Sequence, residues 1–145
     1  MSELVEPRDV AEALGLRRKG GYSLLDYSAD ITRGFPVSAV EALMKAMALD
    51  KSSIARLVAS EATLKRHYKT RKPLSADQSE RLARLAEVWA TALDVYQDKS
   101  RARAFLLRPH QLLHGREPLA VAAESSAGLR SVVKILGRLK YGTAA

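Results

Sequence analysis

With 145 residues, 47% of them apolar and 28% charged, the chain can bury one compact core or two small ones, and it lacks the Pro/Ser/Glu-rich tracts of a disordered protein. The absence of cysteine excludes disulfides, thiol chemistry and zinc–thiolate sites; no apolar run reaches the roughly 18–20 residues of a membrane span, and the acidic start lacks a signal peptide's basic region, so the chain reads as cytoplasmic. The net charge of +8 is uneven: residues 36–72 carry eight basic and three acidic side chains, against five and six over 1–35 and eleven and seven over 73–145, and so basic a middle reads either as a surface for a polyanionic partner or as a solvated basic helix end.

In chain order, 1–35 reads as a partly irregular N-terminal segment. It holds a short helix from Asp9 to Leu14 stopped by Gly15, a loop over Arg17-Arg18-Lys19-Gly20-Gly21, and enough apolar residues in Tyr22–Tyr27 for local packing only. From Pro36 the apolar spacing becomes helical, with Val37, Val40, Leu43, Met44 and Met47 on one face. Asp50 reads as the N-cap of a helix over 51–58 with Ile54, Leu57 and Val58 inward. Ser60 reads as the cap of a helix over 61–70 with Leu64 and Tyr68 on one face, ending before Pro73. Two short helices this close, the second with a basic outer face, have the layout of a helix-turn-helix, although Ala59 stands where the turn usually has glycine.

A boundary at Pro73-Leu74 separates this 36–73 region from a helical 74–145 region. Ser75 and Gln78 form a capping box for a long helix over 76–97, whose stripe is Leu82, Leu85, Trp89, Ala92, Leu93 and Tyr96. Asp98 caps a helix to Leu107 with Ala102, Phe105 and Leu106 inward. Residues 110–116 form a loop, and Glu117-Pro118 opens a short helix to about Glu124. The last helix spans 126–140 with Leu129, Val132, Val133, Leu136 and Leu139 in a stripe; Gly142 ends it before a short tail. No strand-like alternation occurs, so the fold class is all-α, a helix-turn-helix-like region followed by a C-terminal helical domain.

Catalytic chemistry has little to stand on. His110 and His114 have the i,i+4 spacing of two metal ligands on a helix, but Pro109 and Gly115 make the segment a loop and no third ligand is near. Asp94 and Asp98 read as solvated helix-end charges and Trp89 as a core aromatic. No phosphate-binding glycine loop or serine elbow is present. The expectation is therefore no enzyme, no metal and no cofactor. The basic run Leu64–Lys72, with five Lys/Arg, fits phosphate contact, and His67 within it suits that better than base catalysis. Glu61, Ala62, Thr63, Lys65 and Arg66, at the start of the second short helix, are candidates for base edges. Lys51, Ser52, Ser60, His67, Lys69, Arg71 and Lys72 complete the candidate DNA surface.

The second half carries a recognisable order of segments. Leu74–Ala86 and Ala92–Asp98 come first, then Ala104-Phe-Leu-Leu-Arg-Pro109, Leu113-His-Gly-Arg-Glu-Pro-Leu119, Gly128-Leu-Arg-Ser-Val-Val and Leu136-Gly-Arg-Leu-Lys-Tyr-Gly142. This order resembles the toxin-binding domain of the Xre/MbcA/ParS antitoxins, and the region before it resembles their Xre-like helix-turn-helix. The resemblance implies a type II antitoxin that pairs with a RES-domain toxin consuming NAD, blocks the toxin's active-site entrance with its C-terminal residues, represses its own operon, and dimerises or joins a larger hetero-oligomer with the toxin. It places Arg138, Lys140, Tyr141 and Gly142 near the toxin pocket, presented by the last helix. With Arg130, Lys134 and Leu139 they form the candidate toxin-binding set. A stand-alone helix-turn-helix regulator is the alternative.

Overall fold

A computed structural model describes residues 5–16 and 20–142. Arg17, Arg18 and Lys19 of the expected loop, and the tail 143–145, lie outside the described residues. The chain is all-α: among the described residues there are nine α-helices, one 3-10 turn and a single isolated bridge, His110 to Arg116. No helix among them is long and apolar enough to cross a membrane. The chain divides into two compact units, one over 6–83 and the other over 84–142 with Val5. The division falls inside the long helix, where the sequence reading put a boundary at Pro73-Leu74.

The first unit contains α1 (Pro7–Ala13), α2 (Leu24–Arg33), α3 (Val37–Met47), α4 (Lys51–Leu57), α5 (Glu61–Thr70) and the start of α6 (Ala76–Tyr96). The expectation of local packing only over Tyr22–Tyr27 is corrected here, because α2 is a full helix. Ser23 caps it, accepting from the Asp26 amide at 3.1 Å while the Asp26 carboxylate takes the Ser23 amide at 2.9 Å. Its leucines, Leu24 and Leu25, point outward, and Tyr27 is its buried residue. Val10, Leu14 and Phe35 add buried groups, and α1 packs on α2 and α3.

A clasp closes this unit. The Phe35 amide donates to Ser79 Oγ at 2.9 Å, and the Leu74 amide donates to the Phe35 carbonyl at 2.9 Å. Gly34, at φ +98°, lies so close that a Cβ there would sit 2.1 Å from the Leu74 carbonyl oxygen. Glycine is required at this position on both counts.

The second unit contains the rest of α6, α7 (Lys99–Leu107), the turn Gln111–Leu113, α8 (Pro118–Glu124) and α9 (Ser126–Tyr141). The Ser75–Gln78 capping box starts α6 as expected, with bonds of 2.9 and 3.1 Å. The helix buries more than its predicted stripe: Leu85, Ala86, Val88, Trp89 and Ala92 are all inside. Trp89, only 1% exposed, is a core residue. α8 packs on α9 and α7, and at their corner a Cβ on Gly128 would meet the Val121 carbonyl oxygen at 2.1 Å.

Candidate functional site

The basic surface of the first unit is built on α4 and α5. Asp50 caps α4 as expected, accepting from the Ser53 amide at 2.8 Å and from Ser52 Oγ at 3.2 Å. These bonds, that from the Ser53 amide first, hold its carboxyl below the ordinary carboxylate range. Inward-facing Ile54 and Val58 are buried and Leu57 is half-buried. Three residues join the helices: Val58, Ala59 and Ser60. None of them takes a positive φ, so the turn closes without the glycine that the pattern lacks.

Ser60 caps α5, its Oγ accepting from the Thr63 amide at 3.2 Å and donating to Thr63 Oγ1 at 2.9 Å. Arg66 Nη2 reaches the same Thr63 oxygen at 3.4 Å. Ser60, Thr63 and Arg66 therefore come together at the start of the helix. Leu64 is the buried anchor of α5. Tyr68, predicted to share its face, is 42% exposed and leans on α3 through Glu41; burial first, then that carboxylate, push its phenol well up and keep it neutral.

Glu61, Ala62, Lys65, Arg66 and Lys69 are exposed along α5, as are Arg71 and Lys72 beyond it. His67 faces inward to the helix end: its Nδ1 lies 3.0 Å from the Lys72 carbonyl. A carbonyl only accepts, so Nδ1 carries the hydrogen in this contact. His67 thus folds the Arg71–Lys72 turn back onto α5. Lys51 and Ser52 stand exposed at the start of α4, Ser52 being tied to the cap.

In the second unit the candidate residues lie along α9. Ser125 caps it through the Gly128 amide at 3.0 Å. Arg84 spans from α6 to the end of α8, donating to the Ala123 carbonyl from Nε at 3.2 Å and Nη2 at 2.7 Å. Arg116 pairs with Glu124 through both terminal guanidinium nitrogens, Nη1 at 2.9 Å, and this hydrogen bonding holds the Glu124 carboxyl below its ordinary range. This pins the 110–116 loop to α8. His110 is used locally, its Nδ1 accepting from the Leu112 amide at 3.1 Å. Among the described residues no three metal-ligating side chains cluster.

The seven candidate toxin-binding residues fall into two sets. Arg130 and Lys134 are exposed beside a cavity of about 420 Å3, which Leu129, Val133, Arg84 and Glu87 also line. Arg138, Leu139, Lys140, Tyr141 and Gly142 form the tip. The predicted stripe needs two corrections: Ile135, left out of it, is buried with Val132 and Leu136, while Leu139 is 45% exposed. The helix has run past its packing partners by then, so Leu139 joins the surface. Tyr141 is 66% exposed, and Gly142, at φ +70°, closes the helix by donating to the Arg138 carbonyl.

Sequence reasoning missed Asp94. It is no solvated helix-end charge: its carboxylate accepts from Lys140 Nζ at 2.5 Å. Their separation of 46 positions leaves no local pattern by which to find the pair. The other aspartate, Asp98, caps α7 by accepting from the Arg101 amide at 2.9 Å.

Two family models match successive parts of the chain. Residues 26–87 match the antitoxin Xre-like helix-turn-helix domain. Residues 91–142 match the antitoxin Xre/MbcA/ParS C-terminal toxin-binding domain. No curated protein matches the chain. The first match takes in α4 and α5 and implies DNA as a partner; the second takes in α7 to α9 and implies a protein toxin. Both are antitoxin domains, and the chain is a member of the antitoxin family they describe.

Proposed function

We propose that this antitoxin neutralises a RES-type, NAD-consuming toxin by placing the tip of α9 at the toxin's active-site entrance, and that it represses its own operon by laying α5 in the major groove. The observation that carries the first half is the projecting end of α9. After Leu136 no described side chain is buried, and the final turn offers an aromatic ring and two cations. A cleft shaped for an anionic dinucleotide favours positive charge, so Arg138 and Lys140 can occupy ground that the NAD phosphates need. Large aromatics lead binding hot spots, which suits Tyr141. Arg130 and Lys134 extend the contact along the helix.

On the DNA side, Glu61, Ala62, Thr63, Lys65 and Arg66 face base edges, and Ser60, His67, Lys69, Arg71, Lys72, Lys51 and Ser52 hold the phosphate backbone. A dimer presents two such helices about 34 Å apart to a near-palindromic site. The protein acts in the cytoplasm by binding alone and turns over no substrate.

Removal of residues 138–145 tests both halves together. The truncated chain keeps its affinity for DNA from upstream of its own reading frame and no longer rescues growth when the toxin is expressed. Rescue by the truncated chain overturns the assignment of the tip. DNA binding with no protein partner at all favours a stand-alone regulator.

A further inference from the structure

We infer that Asp94 is a positioning residue for the tip of α9: it pins Lys140 to α6 and so fixes, before any partner arrives, where the last turn and Tyr141 point. This rests on the reading of the tip as the toxin-binding end.

Four observations support it. First, α9 leaves its packing behind at Leu136, and a helix end with no buried side chain frays unless something ties it down. Gly137, the first residue of this overhang, adds backbone freedom. Second, the Lys140–Asp94 pair spans 46 residues and joins the last turn of α9 to the last turns of α6. Third, the pair is only about one-third exposed on each side, at 34% and 31%, so water screens it less than an ordinary surface pair. Its hydrogen bond raises the Lys140 ammonium's pKa above its usual value, so the lysine remains charged. Fourth, the same ammonium lies 5.7 Å from the centroid of the Tyr141 ring, within cation–π reach. Carboxylate, ammonium and ring thus form a chain from the core helix out to the most exposed aromatic side chain of the tip.

The consequence is preorganisation. A tip that must enter a cleft loses affinity by whatever entropy its side chains surrender on docking, and a tip already held surrenders less. Asp94 need not touch the partner to matter.

The test uses the full chain with Asp94→Asn, its reversion to a carboxylate in Asp94→Glu, and the exchange of charges in Asp94→Lys with Lys140→Asp. Amide hydrogen exchange is measured on the protein alone. Affinity is measured for the protein encoded by the adjoining reading frame. Asp94→Asn speeds exchange at residues 138–142, leaves the amides around Trp89 and Val132 protected, and weakens the partner about ten-fold. Asp94→Glu restores most of both.

Unchanged exchange and unchanged affinity in Asp94→Asn overturn the proposal. Weaker binding without faster exchange also overturns it, because Asp94 then acts by direct contact. The charge exchange is read by hydrogen exchange alone, because Lys140 itself belongs to the candidate toxin contact: regained protection at 138–142 supports the pair as the tie, and protection that stays lost overturns the positioning role. Arg138→Ala and Tyr141→Ala serve as separate controls. Full affinity in both sinks the reading of the tip itself, while the exchange data, taken without a partner, still decide whether Asp94 holds it.

Discussion

The two helices that carry the candidate surfaces are held in opposite ways. α5 is anchored near its start, by the Ser60 cap and by Leu64, and its cations are strung along the helix and past its end. α9 is anchored over its first three turns, by the Ser125 cap, the Gly128 contact and Val132, Ile135 and Leu136, and its candidate tip lies beyond the last of these. The difference follows what each partner demands. A phosphate backbone is an extended row of charge, met by long side chains free to adjust. A cleft needs one end aimed in one direction, so the helix must be fixed behind it.

The largest effect belongs to the anchoring of α9. Trp89→Ala empties a fully buried site in the unit that holds α9 and lowers stability by about 3–5 kcal/mol, measured by urea unfolding. Gly128→Ala drives a methyl group into the Val121 carbonyl and forces α8 and α9 apart. We expect a loss of about 2–3 kcal/mol and weaker toxin binding, with the DNA surface of α5 intact. Equal damage to both binding activities would erase the contrast between the helices.

Smaller effects sharpen the other side. Lys65→Ala with Arg66→Ala lowers DNA affinity and reduces the log–log salt slope by about 2, one for each lost phosphate contact. An unchanged slope moves the DNA surface elsewhere. Ser60→Ala removes the α5 cap and costs about 1 kcal/mol, seen as a lower thermal midpoint. The smallest effect is a pH dependence at Asp50. Its folded-state pKa is depressed, so the cap's contribution is fully present above the unfolded value of about 4 and disappears as pH falls through the folded one. Faster amide exchange at the start of α4 in acid, abolished by Asp50→Asn, is the expected signature.

Much of this was legible in the sequence because the residues involved act locally. Asp50, Ser60, Ser75 and Asp98 cap the helices they precede, and each cap is recognisable within three residues. The helix α2 was not legible for the same kind of reason: its leucines are exposed, so the stripe that marks a helix is missing, and its cap pairs Ser23 with an aspartate in place of the usual Glu or Gln. The overreach at Leu139 has a different origin. Apolar spacing tells which side of a helix is greasy, not how far its neighbours extend. The Phe35–Leu74–Ser79 clasp and the Asp94–Lys140 pair depend on residues dozens of positions apart, and local pattern holds no trace of them.

One footprint tests the division of labour between α5 and α9 most directly: amide hydrogen exchange of the intact protein alone, with upstream DNA, and with the toxin. DNA should slow exchange over 60–72 and leave 130–142 as it was. The toxin should slow exchange over 130–142 and leave 60–72 as it was. Toxin protection confined to the α5 region, or none along α9, contradicts the account.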